Sequence, residues 1–148
     1  MKRFIDICKH YDISLCYLFG SQQERGKAIL AGETAPVVDE KSDIDFAVLF
    51  RTRSAAPLEL YARLSLDLQD IVKPHRADLL FLHEVDHLLQ LEAIRGINVY
   101  SYDAQFRESY EERVMMFAAD ELQIFKRNER DFFGAVKDGY FQFEYQAA

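Results

Sequence analysis

The chemistry in this sequence starts at Ser42-Asp43-Ile44-Asp45-Phe46-Ala47-Val48. Side chains alternate faces along a strand, so Asp43 and Asp45 lie on one side while Ile44 points to the other. Two neighbouring carboxylates repel each other when ionised, and a cation between them relieves the repulsion. Oxygen-only donors suit Mg²⁺ or Mn²⁺, and Mg²⁺ is commonly held by one or two carboxylates together with substrate phosphates. A second feature is Gly20-Ser21, placed directly after the apolar run ISLCYLF. A turn at the start of a helix offers free amide donors to a phosphate. Gly20 lets the backbone approach closely, and the Ser21 hydroxyl adds a donor. A third acid, Asp78, stands in Arg76-Ala77-Asp78-Leu79.

Whether these parts can meet depends on the elements that carry them. Apolar spacing predicts a helix over 4–11, and the continuous run 13–19 reads as a buried strand. Ser21 is expected to cap a helix over about 22–30, with Glu24 completing a capping box. Residues 31–41, with Gly32 and Pro36, read as a loop. A second strand is expected at 43–50 and a helix opened by Pro57 to about Val72, with Tyr61, Leu64, Leu68, Ile71 and Val72 on one face. Then come a strand at 77–82, a helix near 84–95 closed by Gly96 as a left-handed cap, and a strand at 98–102. A long helical pattern over 104–137 carries Phe106, Tyr110, Val114, Phe117, Leu122, Phe125 and Phe132 on a rough stripe, with Gly134 and Gly139 closing it. The fold class is α/β (α+β): a mixed β-sheet with flanking helices and a long C-terminal helix. If the first two strands run antiparallel, Gly20-Ser21 shares a sheet edge with Asp43 and Asp45. A third strand returning parallel to the second after a helix adds Asp78 at the same edge.

Composition narrows the alternatives. The 148 residues carry 25 acidic and 18 basic side chains, a formal charge of −7. That argues against direct nucleic-acid binding, which relies on Lys and Arg to neutralise phosphates. No apolar stretch is long enough for a membrane span, and the N-terminus does not read as a signal peptide, so the expected compartment is the cytoplasm. Cys8 and Cys16 sit in apolar runs and read as reduced core residues. His83-Glu84-Val85-Asp86-His87 matches the H-E-x-x-H zinc pattern, yet it directly follows a strand and has no third ligand beyond Glu108, Glu111 or Glu112. Arg76 and His83 fit a loose R-x6-H ribonuclease spacing that belongs in a helix, not across a strand. Lys73, His75 and Arg76 precede Asp78 and read as a solvated loop that could steer phosphate. Arg51 and Arg53 lie beyond the far end of the second strand. The run Lys126-Arg127-Asn128-Glu129-Arg130-Asp131 reads as a solvated helix face. The aromatic tail through Tyr140, Phe141, Phe143 and Tyr145 reads as a covered surface.

Gly20-Ser21, then Ser42-Asp43-Ile44-Asp45, then Asp78 resemble the signature of the polymerase-β-like nucleotidyltransferases, and most of all the minimal nucleotidyltransferase (MNT) proteins. The resemblance covers roughly residues 1–102. It implies one nucleotidyltransferase domain over 1–148, with a catalytic core at about 1–102 and a helical extension from about 103. It implies nucleotide binding by Gly20, Ser21 and Ser42, and catalysis at a site for two Mg²⁺ ions held by Asp43, Asp45 and Asp78, with ATP as substrate. Asp78 would also help activate the attacking hydroxyl. Small MNT proteins resemble antitoxins paired with a HEPN toxin, and the resemblance implies transfer of AMP to a toxin tyrosine. The alternatives are a small-molecule, antibiotic-type transferase and a non-catalytic module that neutralises its partner by contact. A homo-oligomer through the last helix and tail is a further expectation. The sequence departs from the family in the span Gln22–Ser42, 21 residues where a shorter link is usual.

Overall fold

The structure is a computed structural model and describes residues 1–33 and 43–137, with side chains to 135. The order is α1 (Lys2–His10), β1 (Ile13–Phe19), α2 (Gln23–Leu30), β2 (Asp43–Phe50), α3 (Pro57–Val72), β3 (Arg76–Phe81), a 3₁₀ turn (Leu82–Glu84), α4 (His87–Ile94), β4 (Ile97–Ser101) and α5 (Ala104–Lys137). The strands form one sheet in the order β3-β2-β1-β4. The pairs β1–β2 and β1–β4 are antiparallel, and β2–β3 is parallel. This is the mixed sheet with flanking helices and long last helix that the sequence pattern predicts.

The sheet is covered on both faces, which is why ISLCYLF carries no polar alternation. Cys16, Leu18, Ile44, Phe46, Val48, Leu79 and Phe81 pack on one side with Phe4 and Cys8 of α1 and Leu64, Leu68 and Val72 of α3. Leu15, Tyr17 and Ala47 pack on the other with Ala93 of α4 and Tyr110 and Val114 of α5. Both cysteines are buried and free, as expected, and burial pushes the Cys8 thiol up to about 12. Tyr17 crosses this second layer and donates its hydroxyl to Glu111 at 2.8 Å, while Arg107 Nε donates to the same oxygen at 2.9 Å. That triad ties α5 to the middle strand.

Three local expectations fail. Ser21 does not cap α2: Gln22 holds the cap position, no side chain caps the helix, and Ser21 and Glu24 form no capping box. Gly96 is not a left-handed cap, since Gly20 and Gly32 are the described glycines with positive φ, and α4 ends on Arg95 in a right-handed conformation. Gly96 is there for space. A β-carbon on it would lie 2.0 Å from the Leu18 carbonyl oxygen, so the α4–β4 link can press against β1 only without a side chain. The expected stripe along α5 is buried only at Tyr110 and Val114, joined by Ala118; Phe117, Leu122, Phe125 and Phe132 are exposed. Most of the loop expected at 31–41, together with Gly139 and the aromatic tail, lies outside the described residues.

Two glycine substitutions should therefore move stability in opposite directions. Gly96→Ala forces backbone apart and should destabilise by about 1–3 kcal/mol, the scale of overpacking. Gly134, within α5, has nothing within 4 Å of its would-be β-carbon. Gly134→Ala should stabilise the helix by roughly 0.5–1 kcal/mol. Thermal melts followed by circular dichroism check both, and a neutral Gly96→Ala would refute the contact.

Candidate active site

Pairing across the sheet brings the expected residues to one edge. Phe19 pairs with Asp45 across β1 and β2, so Gly20 leaves the sheet beside that carboxylate. Gly20 has φ +76°, and a β-carbon there would lie 2.3 Å from Asp45 Oδ2. A side chain here would be strained by the backbone conformation and would have to displace the Asp45 carboxylate. Ser21 follows, exposed, and its hydroxyl has no hydrogen-bond partner among the described residues. Freed from the capping role, it is available to a ligand.

Across the parallel pair, Asp45 stands opposite Asp78 and Asp43 opposite Arg76. The alternation of β2 and β3 puts Asp43, Asp45 and Asp78 on the sheet face that bears α4 and α5, the face of Ala47 and Leu80. Asp43 and Asp78 are exposed, while Asp45 is half-buried. Burial pushes the Asp45 carboxyl up, and repulsion from Asp78, Asp43 and Glu92 pushes it further. Glu92, on α4, is a fourth acid at this edge that the sequence reading missed. Its only signal was its position on the helix following the third strand, which becomes informative once α4 is known to lie on the carboxylates' face.

Among the described residues, no three His, Cys, Asp or Glu side chains are gathered as a ready-made metal cluster. The donor set is nonetheless all carboxylate, and the mutual repulsion raising Asp45 is what a hard cation would remove. Ser42, expected to bind nucleotide, lies outside the described residues.

The other signals resolve differently. Lys73 is engaged by Asp70 at 2.8 Å, and His75 is buried, so of that loop only Arg76 stands exposed beside Asp43. Arg51 and Arg53 lie past the opposite end of β2, as expected; Arg51 bonds Asp12 at 3.1 Å and covers the Tyr102 ring. The H-E-x-x-H pattern is broken. His83 and Glu84 belong to the 3₁₀ turn, whereas Asp86 caps α4 through Leu89 N at 2.8 Å and His87 begins that helix. The His87 ring pairs with Glu121 and stacks on Phe117. The two imidazoles therefore do not share one helical face, and the zinc reading fails for lack of the i, i+4 geometry it requires.

The family model for polymerase beta, nucleotidyltransferase, matches residues 2–105, from α1 to the start of α5. The chain belongs to the polymerase-β nucleotidyltransferase family. No curated protein matches the sequence. Among solved structures, a chain of a mutant MntA–HpeT toxin–antitoxin complex is similar at 15% identity and TM-score 0.53, over 95% of this chain and 98% of that one. A second mutant of that complex gives 17% and 0.52, over 95% and 97%. A complex of a tri-AMPylated Shewanella oneidensis HEPN toxin with an MNT antitoxin gives 17% and 0.52, over 95% of each chain. At these identities the likeness is one of fold. It covers α5 as well as the nucleotidyltransferase core. No helix among the described residues is long and apolar enough to cross a membrane.

The raised Asp45 carboxyl sets a pH signature for this edge. A carboxyl that titrates higher folded than unfolded contributes stability that is complete below the ordinary carboxylate range and is lost as pH rises through the folded value. In chelator-treated protein, Asp45→Asn should gain melting temperature relative to the parent as pH rises above about 4, levelling off once Asp45 is fully ionised. Parallel melts from pH 4 to 8 read this out, and a pH-independent difference would refute the repulsion.

Proposed function

We propose that this protein is a cytoplasmic, Mg²⁺-dependent adenylyltransferase that moves AMP from ATP to a tyrosine hydroxyl of a partner HEPN toxin, and so acts as an antitoxin. The observation that carries the reading is the abutment of Gly20 on the Asp45 carboxylate, with Asp78 in register on the next strand. A phosphate-binding turn beside three acids suits a ligand that carries both phosphates and a cation. Mg²⁺, held by Asp43, Asp45 and Asp78, would neutralise triphosphate charge against these acids and lower the pKa of the attacking hydroxyl. The backbone at Gly20-Ser21 and the Ser21 hydroxyl would hold the phosphates, with Ser42 completing that contact. The acceptor oxygen attacks the α-phosphorus, the bond to pyrophosphate breaks, and Asp78, the exposed acid, takes the hydroxyl proton.

A protein acceptor is supported by the openness of the edge: Asp43 and Asp78 are exposed, so a tyrosine presented by another molecule can reach them. The similar MNT antitoxin, solved with an AMPylated HEPN toxin, supports the same choice of acceptor.

Incubation with labelled ATP, MgCl₂ and the product of the neighbouring gene should label that product on tyrosine. Asp43→Asn and Asp45→Asn should each reduce transfer by at least about 100-fold, the scale for losing one group that stabilises transition-state charge. Full transfer by both variants would refute the assignment. Label appearing on a small aminoglycoside-like alcohol but not on the protein would select the antibiotic-type reading. Neutralisation of the toxin without label would select the contact-only one.

Nucleotide affinity tests the turn by itself. Ser21→Ala should weaken ATP binding in MgCl₂ by roughly tenfold, the value of one hydrogen bond to a charged group. Gly20→Val should weaken it more, because the side chain overlaps Asp45. Calorimetric titration checks both, and unchanged affinity in the pair would reduce Gly20-Ser21 to a plain turn.

A further inference from the structure

α5 has 34 residues, about 50 Å of helix. Only its first half packs on the body, through Tyr110, Val114 and Ala118. From 122 to 134 every residue is exposed. The packed face does not end where the packing does. At 100° per residue, Leu122, Phe125 and Phe132 continue the line of Val114 and Ala118, with Phe133 at its margin. They are 41%, 61%, 44% and 59% exposed. A helical segment of this length is marginal alone in water, and a row of partly exposed apolar side chains in a protein of this charge marks an interface.

The same face leads into a groove of about 350 Å³ between α4 and α5, lined by Leu91, Ile94, Met115, Ala118, Ala119 and Leu122, with the charged Arg95 and Glu111 also in its wall. One charged side chain interrupts the row: Glu129 falls between Phe125 and Leu122 on the helical wheel. Neither Glu129 nor Lys126, at the edge of the row, has an ion-pair partner among the described residues. A partner that covers the row buries Glu129, and a cation on the partner offsets the cost of burying that carboxylate.

We infer that a second copy of this chain covers this face, with the C-terminal halves of two α5 helices packed antiparallel about a two-fold axis at residues 127 and 128. In that register Lys126 of the second copy meets Glu129, and the symmetry repeats the pair. Leu122 meets Phe133 of the second copy, and the end of each helix runs towards the other's α4–α5 groove. A parallel pair would set Glu129 against Glu129 instead. The charge run 126–131, which as sequence reads as a solvated face, becomes the element that fixes register and direction. The inference does not depend on the transfer chemistry, since the catalytic edge lies on residues 20–92.

Sedimentation equilibrium at micromolar concentration should give twice the 17.3 kDa chain mass. Leu122→Glu should give a monomer with an unchanged melt of the packed core. Lys126→Glu and Glu129→Lys should each weaken the dimer at least tenfold, and the double exchange Lys126→Glu/Glu129→Lys should restore it, because the pair is remade with its signs reversed. The exposed positions make these exchanges compatible with folding. A monomeric parent overturns the inference, including one that becomes protected along α5 only when the toxin is added. So does a dimer indifferent to both single exchanges, or a double exchange that fails to restore it.

Discussion

Gly20 and Asp45 touch because β1 runs antiparallel to β2, and most of the candidate site depends on that contact. Pairing Phe19 with Asp45 delivers the chain out of β1 against the carboxylate, and the positive φ of that path favours glycine. The turn that follows carries Ser21 away from its expected cap and leaves its hydroxyl unclaimed. The same strand β2 then pairs in parallel with β3 and lines up Asp78 with Asp45. One strand thus holds the acids and aligns the parts on either side of them. Were β2 displaced by one residue, Ile44 would replace the carboxylates on this face, and the site and the core would fail together.

The electrostatics of that edge work against the fold when no cation is present. Burial raises the Asp45 carboxyl, and three neighbouring acids, Asp78, Asp43 and Glu92, raise it further. The protein tolerates this because the cost falls at an open edge, where Asp43 and Asp78 keep their water, while the hydrophobic layers on both faces of β1 supply the stability. Strain of this kind concentrates at functional sites. It is also a reason for the site to recruit positive charge along with a phosphate ligand, in a chain whose net charge is −7.

The rest of the molecule serves this edge by holding its helices in place. Tyr17, Glu111 and Arg107 bind α5 to the central strand, and Gly96 lets α4 return into β4 close against Leu18. Through these two fixtures α4 presents Glu92 towards the carboxylates. α5 then runs past the body, so its outer half carries an exposed apolar row. Membership of the polymerase-β nucleotidyltransferase family accounts for residues 2–105, and the outer half of α5 lies beyond that match.

The sequence by itself determined the element types, the sheet's mixed direction and the three acids of one edge. These are local or nearly local properties: an apolar run between turn residues is a buried strand, and alternation along DIDFAVLF fixes which side chains share a face. The helix-length link from β2 to β3 makes their pairing parallel. What only the tertiary structure decided depends on contacts between segments far apart in the chain. Gly20 leaves β1 beside Asp45, 25 positions later, and Gly96 is small because of Leu18, 78 positions earlier. His83 and His87 part company because Asp86 starts a new helix between them. Glu92 joins the acids because α4 packs on their side of the sheet. No spacing rule could reveal these, since each arises from steric or electrostatic contact that exists only once the layers are assembled.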